Sequence, residues 1–69
     1  MSFSYKPLWK TLVDKNLSKK DLRIAIKASP ATIAKMSRDE FVAMDVLDRI
    51  CNFLDCEISD VVQHIKDKK

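Results

Sequence analysis

The chain has 69 residues, 46% of them apolar, and this length limits it to one small domain. It has no glycine and two prolines, which favours an all-helical fold over a turn-rich β-fold. Its net charge of +3 is unevenly divided, since residues 1–38 carry nine Lys and Arg against two Asp, and residues 39–69 carry four against eight Asp and Glu, so the first half is either a polyanion-binding surface or merely a solvated one. No segment approaches the ~20 apolar residues of a membrane span, and a cytoplasmic protein without a membrane partner is expected.

The first predicted helix extends from about residue 5 to residue 15. Pro7 suits its first turn, where an amide has no helical partner, and Ser4 or Lys6 is the expected cap. Asn16 is expected to form a left-handed exit. The candidate inward residues recur at helical spacing: Tyr5, Leu8, Trp9 and Leu12.

The second predicted helix covers about residues 19–26. Ser18 is its expected N-cap, and Asp21, three residues later, can reach back to form a capping box. Arg23 and Ile24 fall on the flanks of this helix. The inward residues are expected to be Leu22, Ala25 and Ile26.

The third predicted helix covers about residues 30–37. A proline inside a helix costs ~3 kcal/mol, which argues against one continuous helix through Pro30. Ser29 followed by Pro30 instead reads as an N-cap and a first helical residue, with Ile33 and Met36 inward. Because only a few residues then separate the second and third helices, the sequence predicts a helix-turn-helix.

A polar connection, "SRDEFVAM", is expected to place Phe41 and Val42 against the core, ahead of a fourth helix at about residues 44–54. Val46 and Phe53 form a second apolar line on that helix, either packed against Trp9 or the N-terminal arm or used as a dimer contact. The main inward stripe is predicted to be Met44, Leu47, Ile50, Cys51 and Leu54.

A fifth helix is predicted at about residues 58–65, with apolar residues at helical spacing: Ile58, Val61, Val62 and Ile65. The prediction is therefore an all-α fold of five short helices in a single domain, residues 1–69. Residues 1–4 are an N-terminal arm, and residues 66–69 are a lysine-rich tail that is expected to fray.

Side chains typical of an enzyme or a metal site are scarce. His64 is the only histidine, and no glycine is present for a phosphate-binding loop, so no catalytic residue and no cofactor are predicted. Cys51 and Cys56 are the only cysteines. With a helix end between them, their side chains are expected to point in different directions, and neither a disulfide nor a metal site is expected.

The ordered combination of "LSKKDL", "IKASPATIAKM" and "VLDRICNFLDCEISDVV" resembles the lambda-repressor/Cro-like, or XRE-like, family of bacterial DNA-binding domains, in particular its small single-domain Cro-type regulators. The resemblance covers about residues 17–62. It implies a transcriptional regulator that binds double-stranded DNA sequence-specifically. Two departures are Arg23, where the family usually has a small residue, and Lys27, where it usually has the turn glycine. Lys27 must therefore be left-handed, or the turn must differ.

In this family the third helix enters the major groove. Lys35 can donate to guanine and Thr32 can donate or accept, whereas Pro30 and Ala31 offer only apolar contact. The resemblance places base reading at Pro30, Ala31, Thr32 and Lys35. It places DNA backbone contacts at Lys10, Ser18, Lys19, Lys20, Lys27, Ser29 and Arg38.

Such sparse base readout implies a homodimer, recognition of DNA shape, or both. The dimer surface is expected at Val46, Phe53 or the fifth helix. No small-molecule effector is expected, because the remaining residues leave no room for a sensor domain. The alternative is a small helical protein-interaction or antitoxin-like module without autonomous sequence-specific DNA binding, and salt-dependent binding to duplex DNA would distinguish the two.

Overall fold

The computed structural model describes residues 3–66. Its four α-helices are α1 (Lys6–Asp14), α2 (Lys19–Ala25), α3 (Pro30–Ser37) and α4 (Met44–Leu54), and a 3-10 turn follows at Ile58–Asp60. Two short strands, β1 (Phe3–Ser4) and β2 (Gln63–His64), pair antiparallel, with Phe3 opposite His64. A mainly helical fold is therefore closed by a small sheet that joins the two ends of the described chain.

The helix starts follow from local capping chemistry. The capping box predicted for α2 is confirmed, because the Ser18 Oγ accepts from the Asp21 amide at 3.0 Å and the Asp21 carboxylate accepts from the Ser18 amide at 2.9 Å. Ser29 caps α3, and Pro30 opens it. For α1, the N-cap is Tyr5. The expectation that Ser4 or Lys6 would occupy that position is wrong.

All four α-helices of residues 3–66 end in the same way, although the chain has no glycine. A residue with φ between 52° and 60° follows each helix within two positions. The next amide then donates to the carbonyl five residues back, over 2.8 to 3.1 Å. This Schellman turn satisfies carbonyls that a helix end leaves free. The left-handed residues are Asn16, Lys27, Asp39 and Asp55, which confirms the predictions for Asn16 and Lys27.

A single hydrophobic core lies between the helices. Its buried apolar side chains are Tyr5, Leu8, Leu12, Leu22, Ile26, Ile33, Met36, Val46, Ile50, Leu54 and Val61. Most of the predicted inward residues of α1 to α3 are among them, with Trp9 packed against the core. Ala25 is exposed instead. Leu22 is the buried residue of α2, and Ile26, which follows the helix as its C-cap, is buried as well.

The predicted inward stripe of α4 is confirmed at four of its five positions, where Ile50 and Leu54 are buried and Leu47 and Cys51 pack against the core, and is wrong at Met44. Met44 is 75% exposed, whereas Val46 is 7% exposed and begins the buried line that continues through Ile50 and Leu54. Leu47 and Cys51 flank that line, packed against the core. Helical spacing fits Val46 as well as Met44 with Ile50 and Leu54, so periodicity alone could not show that Val46 is buried and Met44 is not. Val46 packs within the protein's own core.

Phe41 was expected in the core, but its side chain is 61% exposed. It lies edge-on to the ring of Phe3, with 5.9 Å between ring centroids. Val42 is packed against the core as expected. The connection between α3 and α4 thus sends one of its two apolar side chains inward and leaves the other at the surface.

The predicted fifth helix does not form. Only the 3-10 turn Ile58–Asp60 is helical, and the chain then extends into β2. Val61 is fully buried, and the Thr11 hydroxyl donates to the Asp60 carbonyl at 2.9 Å, which ties the turn to α1. Antiparallel pairing of Gln63–His64 with β1 takes the place of the second half of the predicted helix. In the predicted frayed tail, residues 67–69 lie outside the described residues.

Substituting Lys27→Gly should raise the free energy of unfolding by about 1 kcal/mol, because a left-handed conformation is costly for a residue with a β-carbon and free for glycine. Urea unfolding measures the change. Lys27→Ala is the matched control, since it removes the same charge but keeps the β-carbon. Equal stability of the glycine and alanine variants would contradict this account of the turn.

Candidate nucleic-acid interface

The turn between α2 and α3 is held from both sides. Within the motif, the Ala28 amide donates to the Arg23 carbonyl at 3.0 Å. From α4, the Arg49 guanidinium donates to the Ile26 carbonyl at 2.7 Å. These bonds satisfy carbonyls at the C-terminal end of α2, so the direction in which α3 leaves the turn is fixed by local and long-range contacts together.

The residues expected to read bases lie along α3, with Pro30 and Ala31 in its first turn and Lys35 in its last. Pro30, Ala31 and Lys35 are exposed. Ala31 and Lys35 are four residues apart and thus share one face of the helix. This face offers an apolar surface next to one flexible ammonium group, as the sequence analysis expects.

Thr32, the fourth expected reading residue, is half-buried and bonded to Ser29. The Ser29 Oγ accepts from the Thr32 amide at 3.3 Å and lies 3.2 Å from the Thr32 Oγ1. One hydroxyl proton is used between the two side chains, and the other remains for an outside acceptor. The pair therefore supplies one hydrogen-bond donor at the start of α3.

Lys19 is positioned by two residues that sequence reasoning did not assign to the site. Its ammonium lies 4.3 Å from the centroid of the Trp9 ring and donates to the Ser37 Oγ at 3.1 Å. A cation over an indole face is attracted by the ring quadrupole. Lys19 thereby connects the start of α2 to α1 and to the end of α3. No sequence signal indicates this contact, because the three residues are distant along the chain.

The capping box leaves the start of α2 with fewer free amides than an uncapped helix end. Two of its amides, those of Ser18 and Asp21, are taken by the capping box. The bonds from Ser18 lower the pKa of the Asp21 carboxyl, which keeps a negative charge at this end of the helix. The Ser18 hydroxyl still has its own proton to donate, and Lys20 is exposed beside it.

Arg38 is paired with an acid that sequence reasoning missed. Its Nε donates to Glu40 at 2.7 Å, and its second nitrogen lies 3.5 Å from the other carboxylate oxygen. This pairing lowers the pKa of Glu40 and raises that of Arg38. The Tyr5 hydroxyl donates to the Glu40 carbonyl at 2.9 Å, so the backbone of the competing acid is itself held in place.

The two remaining cations of the expected set lie apart. Lys27 is exposed in the left-handed turn, at the edge of a shallow groove that also includes Arg49. Lys10 is exposed on a different groove, between α1 and the 3-10 turn, which it shares with Asp14 and Asp60. Lys19 is thus bound to the end of α3 and Lys27 lies in the turn before α3, whereas Lys10 lies in a separate groove with a second lysine, Lys6, and two acids.

Residues 3–66 contain neither a membrane-spanning helix nor a cluster of metal ligands. No helix in this part of the chain is long and apolar enough to cross a membrane. The same residues contain no group of three or more His, Cys, Asp and Glu that could hold a metal ion.

The chain matches the family described as the Cro/C1-type HTH DNA-binding domain over residues 7–67. Among solved structures, it is similar to the crystal structure of the transcriptional regulator VanUg, with a TM-score of 0.92 and 36% identity. That similarity covers 96% of this chain and 88% of the other. No curated protein sequence matches.

A double-mutant cycle on Trp9→Leu and Lys19→Met should give a coupling free energy of ~0.5–1 kcal/mol, the size of an exposed cation–π contact. Urea unfolding of the four proteins measures it. Lys20→Met is the matched control, because it changes the neighbouring exposed lysine and should show no coupling to Trp9→Leu. Equal coupling for both lysines would mean that the Lys19 contact is not specific.

Proposed function

Since the chain belongs to the family of Cro/C1-type HTH DNA-binding domains, we propose that this DNA-binding regulator recognises double-stranded DNA sequence-specifically, with α3 in the major groove. The family match confirms the resemblance inferred from the sequence. The family is a class of DNA-binding regulators rather than of enzymes. The observation that carries the proposal is the exposure of three expected reading residues along α3: Pro30, Ala31 and Lys35.

This proposal gives each copy only a few base contacts, some polar and some apolar. Lys35 donates to acceptors such as guanine O6 and N7, and Pro30 and Ala31 contact a thymine methyl. The remaining hydroxyl proton of the Ser29–Thr32 pair binds a base edge or the adjacent phosphate. A good polar base contact contributes ~1–3 kcal/mol of discrimination. A single copy would therefore distinguish few sequences.

Most of the affinity then comes from the DNA backbone. We assign phosphate contacts to four cations around α3: Lys19, Lys20, Lys27 and Arg38. The hydroxyls of Ser18 and Ser29 are assigned as neutral hydrogen-bond donors to phosphate. Lys10 receives no contact in this proposal because it shares its groove with two acids. Each neutralised phosphate should contribute about −0.9 to the slope of log affinity against log salt concentration.

We also propose that two copies bind together, on half-sites about 34 Å apart. The sparse readout of one copy supports this, since two copies double the number of base contacts. Of the surfaces expected from the sequence, Val46 is buried and the fifth helix is replaced by a turn and a strand. Phe53, at 42% exposed, is the one that stays available. No small-molecule effector is part of the proposal.

One observation favours the alternative of a protein-interaction module. Phe41, Met44 and Ile58 are exposed and line an apolar groove of about 280 Å³ with Phe3. Salt-dependent binding to duplex DNA separates the two functions, because an apolar protein contact responds weakly to ionic strength.

Selection from random duplexes should yield a two-fold symmetric consensus, and Lys35→Ala should relax the preference at one position of each half-site, by ~1–3 kcal/mol of discrimination. Lys20→Ala should weaken binding to all sequences alike and reduce the slope of log affinity against log salt concentration by about one unit per bound copy. Fluorescence anisotropy across a salt series measures the affinity and the salt slope of each variant. The matched control is Lys66→Ala, beyond β2, which should change neither. If Lys35→Ala leaves the consensus intact, α3 does not read the bases as assigned.

Substituting Glu40→Gln should strengthen DNA binding a few-fold and steepen the salt slope, because Arg38 no longer has an intramolecular carboxylate partner. The same anisotropy titrations measure this effect. Glu57→Gln, at the 3-10 turn, removes an identical charge by an identical substitution and should have a smaller effect. Equal gains from the two variants would indicate net charge alone and would contradict a role for the Arg38–Glu40 pair.

A further inference from the structure

The end of α4 brings the two cysteines of the chain together. Cys51 lies in the last turn of α4, and Cys56 follows the left-handed residue Asp55. Both are free thiols and half-buried, packed against the core. The expectation that their side chains point in different directions is wrong, because the Schellman turn folds the chain back on the helix.

The backbone places the two residues within disulfide range. The Cys56 amide donates to the Cys51 carbonyl at 3.1 Å. Ordinary backbone bond lengths then keep the two Cα atoms within about 7 Å of each other, whereas most disulfides span ~4.4–6.8 Å. In a Schellman turn these two positions are also the ones whose side chains commonly touch.

The thiols differ in their surroundings. Burial raises the pKa of the Cys56 thiol, and the neighbouring Cys51 raises it further. Cys51 also borders a shallow surface groove lined by Met44, Leu47, Asp48 and Ile58. A reagent can therefore approach Cys51 from solvent. A raised pKa makes Cys56 slower to form the thiolate, which is the nucleophile in thiol chemistry.

We propose that Cys51 and Cys56 form a dithiol modification site, which low-molecular-weight disulfides of the glutathione class convert to an intramolecular disulfide. The Cys51 thiolate attacks one sulfur of the small disulfide, whose S–S bond breaks and releases one small thiol. The Cys56 thiolate then attacks the Cys51 sulfur of this mixed disulfide and releases the second small thiol. The two protein thiols are oxidised, the small disulfide is reduced to two thiols, and both protein protons pass to the leaving thiolates.

This site does not depend on DNA binding. At the corresponding turn after α1, the same two positions hold Leu12 and Leu17, whose backbone groups make the equivalent hydrogen bond. There the pair can only pack. At the end of α4, the same geometry holds two groups that can react with each other, and the resulting bond would join α4 to the segment leading into the 3-10 turn.

The test uses the reduced full chain treated with glutathione disulfide, quenched with acid and examined by intact mass spectrometry. The expected product has lost two hydrogen atoms, resists alkylation and regains two alkylatable thiols after dithiothreitol. Cys56→Ser should accumulate a glutathione adduct on Cys51, and Cys51→Ser should react more slowly. Circular dichroism checks that both variants fold.

Two products would overturn the proposal. One is a wild-type product that retains a glutathione adduct instead of closing the ring. The other is a disulfide between two chains, recognised by its mass and by its dependence on protein concentration. Ring closure in the folded chain should also be faster than in urea, where the turn is absent; an equal or slower rate would mean that the fold does not bring the thiols together.

Discussion

The direction of α3 depends on one left-handed residue, Lys27, and on the hydrogen bonds around it. A lysine in this conformation is strained, and the chain has no glycine to relieve that strain. Two bonds offset the cost: the amide after Lys27 is bound within the motif, and the Ile26 carbonyl before it is bound by Arg49 of α4. The helix-turn-helix is therefore stabilised in part by a helix outside it. Its geometry should be sensitive to changes in α4 that touch neither α2 nor α3.

The same physical solution recurs at every α-helix end between residues 3 and 66. Four left-handed residues, two of them aspartates and one an asparagine, replace the glycines that such turns usually contain. Short polar side chains tolerate this conformation better than lysine does, so Lys27 is the strained member of the set. Because each turn also bonds the following amide to the helix, the residue after the turn is brought back against the last helical turn. That return is what places Cys56 beside Cys51.

Features determined by neighbouring residues were predictable, and features determined by distant ones were not. Ser18 with Asp21, and Ser29 with Pro30, are local capping signals, and they located the starts of α2 and α3. On α4, helical spacing located Ile50 and Leu54 in the core, but contact with the rest of the core buried Val46 in place of Met44. The segment after Ile58 has helical spacing, but its conformation depends on pairing with Phe3–Ser4 at the other end of the chain. The Lys19–Trp9 contact could not be predicted because it depends on how α1 and α2 pack. The Arg38–Glu40 ion pair could not be predicted because it depends on the turn of the chain after α3.

The proposed phosphate-binding cations differ in the contacts that they make within the protein before DNA binds. Lys19 is held between Trp9 and Ser37, so it loses less conformational freedom on meeting a phosphate than a mobile lysine does. Arg38 must exchange a carboxylate for a phosphate, and both carry negative charge, so the exchange gains little net attraction. Among the described ion pairs, none involves Lys20 or Lys27. Each of these lysines can therefore bind a phosphate without giving up an acidic partner, but its side chain loses conformational entropy on binding. The affinity for DNA therefore depends less on the number of cations near α3 than on the contacts that each cation already makes within the protein.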